Sequence, residues 1–129
     1  MDRRVDIERS MFVFEDVTSS TLRVGLTGLA QRQRVIADNI ANVETPGFLA
    51  GRVMFEDALR QRIEGTGSPA GAQPTVARSL EPTRENGNNV NLDHETLSQL
   101  DTGLRYQTLL KAMDHKFGLL RTAIKGGGV

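Results

Sequence analysis

From Leu22 the apolar positions step by four and three residues through Leu26, Leu29, Gln33, Ile36, Ile40 and Val43, and only Gln33 breaks the series. Steps of four and three keep one stripe of an α-helix turned one way, so the spacing predicts a long helix with a coiled-coil-like seam, ending before Thr45. Ser19 or Ser20 is placed to cap its start. Gly25 and Gly28 lower helix propensity but admit a close neighbour. Arg23, Gln31, Arg32, Arg34 and Asp38 take much of the remaining surface.

A second seam runs through Gly103, Tyr106, Leu110, Met113, Phe117, Leu120 and Ile124. Leu97, Leu100 and Leu104 extend it upstream with a slip of phase near Gly103, and Leu109, Ala112, Leu119 and Ala123 widen it beyond what one partner helix covers. Asn91 is a candidate N-cap, and Asp93 and Glu95 suit the positive end of the helix dipole. Lys116, Arg121 and Lys125 suit the other end, with Gly126 as the stop.

Between the helices the pattern changes. Phe55, Leu59 and Ile63 recur at four-residue spacing, which predicts a short amphipathic helix after an extended stretch bent at Gly51. Residues 64–74 are rich in Gly and Pro and read as a flexible loop. Thr75-Val76-Ala77-Arg78 suits a short strand, and Asn86-Gly87 suits a turn. The fold class expected is mainly α: two long terminal helices in a coiled-coil bundle, with a short irregular or β-containing middle. The units are 1–47 (helix and turn), 48–90 (short helix and loop) and 91–129 (helix).

The end of the first helix carries the most distinctive string, Asn39-Ile40-Ala41-Asn42-Val43-Glu44-Thr45-Pro46-Gly47-Phe48. Pro46 drives Thr45 out of the α region, and Pro-Gly suits the two central positions of a type II turn. Asn39 and Asn42, three apart, share a helix face, where their amides have the donors and acceptors to hold the turn or a neighbouring helix.

Composition removes several function classes. Sixteen basic and sixteen acidic side chains cancel, so no net field attracts nucleic acid or anionic lipid, and self-association meets little repulsion. Cysteine is absent, which rules out disulfides and thiolate metal sites. His94 and His115 stand beside acids in adjacent rather than helix-facing spacing, so they read as solvated histidines and not as metal ligands. Ser19, Ser20 and Ser98 lack an activating partner in sequence. No enzyme, cofactor, metal or small-molecule substrate is expected. Asp6, Glu8, Glu15 and Asp16 interrupt any signal-peptide core after Arg3 and Arg4, and no apolar run is long enough to span a membrane.

The string Asn-Ile-Ala-Asn followed by Thr-Pro-Gly-Phe resembles the N-terminal signature of the flagellar axial proteins, the rod, hook and hook-associated group. Residues 29–37, 87–93 and 104–107 are similar to the family's small proximal-rod member. The likeness departs at Leu49 and Gly51, where many relatives carry basic residues. It implies a structural subunit of the basal-body rod that self-assembles with other axial proteins into a torque-transmitting shaft. It also implies type III export without a cleaved signal and a place in the periplasmic part of the basal body. Implied partners are further copies of the chain, FlgC, FlgF, FliE and components of the membrane ring and export gate.

On this reading the assembly interface comprises Leu22, Leu26, Leu29, Ile36 and Ile40 with Leu100, Tyr106, Leu110, Met113, Phe117, Leu120 and Ile124, and Asn39, Asn42, Thr45, Pro46, Gly47 and Phe48 form the signature turn. Met11-Phe12-Val13-Phe14 is either an export element or a packed first turn. The alternatives are another small rod protein such as FlgC, or a non-flagellar coiled-coil adaptor.

Overall fold

The computed structural model describes residues 3–126, with the side chains of 10–16 outside the described residues. The Met11–Phe14 cluster therefore lies outside them. The order of elements is α1 (Arg3–Ala41), β1 (Gly51–Met54), α2 (Glu56–Thr66), β2 (Thr75–Arg78) and α3 (Leu92–Gly126). The chain is mainly α, as the periodicity indicated, with the two long helices packed together and one small sheet between them in sequence.

α1 is longer than its sequence cues suggest. It spans 39 residues, about 58 Å at helical rise. Ser19 and Ser20 are interior positions of it, not caps. The polar run 18–21 is tolerated mid-helix because hydroxyls can bond back one turn, as Thr21 Oγ1 does to the Val17 carbonyl at 2.7 Å. At the other end the expected boundary is met: the helix finishes at Ala41, and turns carry the chain to Gly47.

α3 starts as its cap predicts. Asn91 Oδ1 accepts from the His94 N–H at 3.1 Å, and helix begins at Leu92. It runs antiparallel to α1, because Asn39 meets Glu95 while Gly25 lies opposite Leu109.

The face it turns inward differs from the expected seam. Glu95 and Thr102 are buried, and Tyr106 and Leu109 pack against the core. Tyr106, Met113 and Leu120 are half-buried. Leu100, Leu110, Phe117 and Ile124 remain 64%, 39%, 44% and 77% exposed. The inward face is thus rotated by about one residue from the apolar one. Polar partners on α1 and β1 draw Glu95 inside, and Gly25 leaves room for Leu109, whose Cδ1 would lie 3.0 Å from a Cβ there.

The middle segment forms a small layer against α1. β1 and β2 pair antiparallel from Gly51↔Arg78 to Met54↔Thr75, with α2 in the connection. The expected strand at 75–78 is present and its partner is β1, while Gly87 N–H closes a separate turn on the Arg84 carbonyl. α2 runs through Thr66 and closes on Gly67 in the left-handed conformation, so the first residues of the presumed loop are helical.

The apolar core is Leu29, Val53 and Phe55, flanked by Val35, Tyr106 and Leu109. Phe55 seats its ring over Gly28, where an added Cβ would come within 2.6 Å of ring carbons. One turn on, Arg32 covers the ring at 4.9 Å from its centroid.

Candidate functional site

The signature string builds a polar lock that fastens the end of α1 to β1 and to the start of α3. Asn39 is fully buried. Its Oδ1 accepts from the Gly51 N–H at 2.8 Å and its Nδ2 donates to the Gly51 carbonyl at 3.0 Å. One amide therefore supplies the donor and acceptor of a missing strand on the edge of β1 that β2 does not cover. Nδ2 also donates to Glu95 Oε2 at 3.1 Å. The other Glu95 oxygen takes Arg52 Nη1 at 2.6 Å.

Glu95 has no solvent exposure, while the Arg52 side chain keeps 29%, so the ion pair opens toward water on one side only. Arg52 Nη2, buried as an atom, has no hydrogen-bond partner among the described residues and stands 3.6 Å from Glu81 Oε2.

Asn42, on the same face of the helix end, is half-exposed and serves the turn. Its amide donates to the Asp38 carbonyl at 2.8 Å, and its Oδ1 accepts from Thr45 Oγ1 at 3.0 Å. Phe48 N–H bonds the Thr45 carbonyl at 3.2 Å, and Gly47 adopts φ +73°. That is the positive φ a type II turn requires at its third residue, with Pro46 before it.

A second asparagine pair comes from the other side of the molecule. Asn88 Nδ2 donates to the carbonyls of Asn42 and Thr45, both at 2.8 Å, and its Oδ1 accepts from Val90 N–H at 2.7 Å. Asn89 Oδ1 accepts from Ala50 N–H at 2.7 Å, and its amide donates to the carbonyls of Ser79 and Glu81. Arg84 donates to the Val43 carbonyl and, at 2.6 Å, to that of Val90. Side chains from 84–88 thus add donors to the carbonyls of Asn42, Val43 and Thr45 at the end of α1 and in the turn.

Arg32 anchors the next layer. It donates to both carboxylate oxygens of Glu56, at 2.6 and 2.9 Å, and to the Val53 carbonyl at 2.8 Å. Partial burial pushes the Glu56 carboxyl up, but the bonds and charge of Arg32, together with the backbone N–H groups of Glu56 and Phe55, outweigh it and hold the group below its ordinary value.

At Gly51, a Cβ would stand 2.8 Å from Val35 Cγ1. Val35 thus occupies the space that a side chain at position 51 would take.

The arrangement joins and stiffens elements, and its polar groups are directed at one another. Among the described residues no group of three or more His, Cys, Asp or Glu stands together to hold a metal ion, and no helix is long and apolar enough to cross a membrane. Leu29 and Ile36 of the expected interface face the chain's own interior, and Leu22, Leu26 and Ile40 are half-buried. The α3 members Leu100, Leu110, Phe117 and Ile124 face outward. Asn39, Asn42, Thr45, Pro46, Gly47 and Phe48 come together in the turn, with Thr45, Pro46 and Gly47 exposed at its tip.

Sequence reasoning missed Arg52, Glu95, Asn88, Asn89 and Arg84 as members of the lock. The run of four asparagines between 86 and 91 was their one visible signal.

Known proteins resemble this chain in sequence over most of its length. Residues 21–48, the end of α1 and the turn, match the family described as flagella basal body rod protein. The flagellar basal body rod protein FlgB of Bacillus subtilis is 31% identical over 122 residues, covering 85% of this chain and 95% of the relative. FlgB of Aeromonas hydrophila is 33% identical over 111 residues, covering 75% and 84%. The flagellar hook protein FlgE of Borreliella burgdorferi is 34% identical over 97 residues, which is 73% of this chain but 20% of that much longer protein. The signature, the lock and near full-length likeness to FlgB proteins coincide in one chain: it belongs to the flagellar basal-body rod protein family and is a FlgB-like structural subunit of the rod.

Proposed function

We propose that this subunit occupies the proximal rod and assembles there through the outward apolar side chains of α3. The carrying observation is that Leu97, Leu100, Leu104, Leu110, Phe117 and Ile124 are exposed on one helix of a single chain. A solvated helix of a lone subunit has no use for so many large apolar groups, whereas neighbouring helices in an axial bundle would bury them. Leu29 and Ile36 hold the helical pair together within the subunit, and the outward α3 residues, with Tyr106, Met113 and Leu120 at their margin, meet neighbours.

The lock sets the angle at which the middle segment leaves the axis and makes the subunit a stiff element of a torque-transmitting shaft. Neighbours on this reading are further copies, FlgC, FlgF and FliE, with the membrane ring and export gate below. The subunit reaches the periplasmic side through the flagellar export apparatus without a cleaved signal, and it has no catalytic turnover.

Deletion of the gene, followed by electron microscopy of isolated basal bodies, tests the placement. Membrane rings without a rod, restored by the intact chain, are the expected result. Complete rods in the deletion strain would overturn it.

A further inference from the structure

Asn86-Gly87 is the one Asn-Gly pair in the sequence. In such a pair the side-chain carboxamide is open to attack by the next backbone nitrogen, because glycine places no side chain in the way. Gly87 N loses its proton to solvent base and bonds to Asn86 Cγ. The Cγ–Nδ2 bond breaks, ammonia leaves, and a five-membered succinimide remains. Water then opens either carbonyl of the ring. Opening at Cγ gives aspartate, and opening at the main-chain carbon gives isoaspartate, in which the backbone runs through the former side chain. The net change is carboxamide plus water to carboxylic acid plus ammonia, with no other reactant.

The fold engages the nucleophile's N–H and the oxygen of the carboxamide it would attack. Gly87 N–H, the nucleophile's proton, donates to the Arg84 carbonyl at 2.9 Å. Asn86 Oδ1 accepts from the Asn88 N–H at 3.1 Å, which fixes the carboxamide toward its own chain. The Asn86 carbonyl accepts from Gly47 N–H of the signature turn at 2.8 Å. Gly87 sits at φ +81°, and a Cβ on it would stand 3.3 Å from Gly47 Cα, so the two glycines are stacked. The 84–88 turn is itself closed by Arg84 N–H to the Asn88 carbonyl at 2.8 Å, and the Arg84 guanidinium ties it to Val43 and Val90.

We infer that Asn86 is a deamidation site held unreactive by the folded turn, and that its isoaspartyl product cannot rebuild the bond to Gly47. The added backbone atom in isoaspartate shifts the carbonyl that Gly47 N–H requires. The fraction of chains that becomes isoaspartyl while 84–88 is unfolded therefore loses that support of its signature turn.

The test follows conversion at Asn86 by peptide mapping with an isoaspartate-specific methyltransferase, on the full chain at mildly alkaline pH, folded and in urea. Folded chain is expected to convert at least about tenfold more slowly, since reaction must wait for local opening. Gly87→Ala in urea should slow conversion and so mark the nucleophile. Arg84→Ala, which leaves the dipeptide intact, should bring the folded rate toward the urea rate. Folded and urea rates within twofold of each other would overturn the inference. So would an unchanged folded rate in an Arg84→Ala chain of normal helicity, and if that variant does not fold, the wild-type comparison decides alone.

Discussion

The amide of Asn39 and the carboxylate of Glu95 meet at 3.1 Å, joining the last turn of α1 to the first of α3 where neither side chain touches solvent. The same amide pairs with both backbone groups of Gly51. Asn39→Ala leaves a buried N–H, a carbonyl and a carboxylate oxygen short of partners, at about 1–3 kcal/mol for each group not reached by water. An overall loss of about 2–4 kcal/mol is expected in urea unfolding. Asn39→Asp should cost more, because it keeps the acceptor for Gly51 N–H but sets a second carboxylate against Glu95. If Asn39→Asp proves the milder of the two, the donor role of this amide is wrong.

Gly28→Ala tests the seat of Phe55. The change gains up to about 1 kcal/mol of helix propensity. It also drives a methyl to 2.6 Å from the ring, and overpacking of this kind costs about 1–3 kcal/mol. Net destabilisation is expected, and Phe55→Leu should cost less in the Gly28→Ala background than alone. Gly118→Ala is the control: nothing lies within 4 Å of its Cβ position, so only the propensity gain remains and stability should rise by roughly 0.5–1 kcal/mol. Additive behaviour of the Gly28 and Phe55 changes would remove the steric account.

These two sites show what was legible in the chain. Helices, turn and short strand follow from local signals: apolar period, an asparagine cap at Asn91, Pro46-Gly47 and a β-rich tetrapeptide. The inward face of α3 does not. Periodicity ranks positions by hydrophobicity, so it drew a seam through Leu110 and Phe117 and gave Glu95 only a place near the positive end of the helix dipole. Glu95 is buried because Arg52, 43 residues away, and Asn39, 56 away, supply its charge and hydrogen-bond partners. Nothing local to Glu95 carries that information. Ser19 and Ser20 misled for a related reason, since a serine that caps and a serine that lies mid-helix look alike in sequence.

Gly47 sits at φ +73° with open space around its Cβ position. Gly47→Ala therefore meets no clash and suffers only the left-handed backbone penalty, about 1–2 kcal/mol. Asn at this position tolerates that conformation better than Ala. Thermal unfolding should rank Gly47, Asn, Ala in falling stability, and equal values for Ala and Gly would show that the turn relaxes out of its type II form.

The Arg32–Glu56 pair gives a pH signature. The folded Glu56 carboxyl titrates below its ordinary value, so the unfolded state binds a proton first as pH falls. The contribution is fully present above the ordinary carboxylate range and is lost as pH drops through the lowered folded value. Glu56 is 44% exposed, so screening keeps the effect below about 1 kcal/mol. Glu56→Gln should lower stability at neutral pH and match the parent in strong acid. A constant difference between the two across that range would show that the pair contributes no charge term.

Leu110→Asp separates folding from assembly. Leu110 is 39% exposed beside the inward face, so a carboxylate there keeps its water in the lone subunit, and the loss of stability should stay near or below about 1 kcal/mol. In a bundle the same carboxylate would be buried without a partner, at a cost of several kcal/mol. Ile36→Asp is the contrast, because Ile36 lies within the subunit at 4% exposure, and that change should abolish folding itself. The expected pair of outcomes is a Leu110→Asp chain that is folded by circular dichroism yet absent from isolated basal bodies, and an Ile36→Asp chain that fails both measurements. Normal motility with Leu110→Asp would place the interface on another face of α3, and the stripe of Leu97, Leu100 and Leu104 would be the next to change.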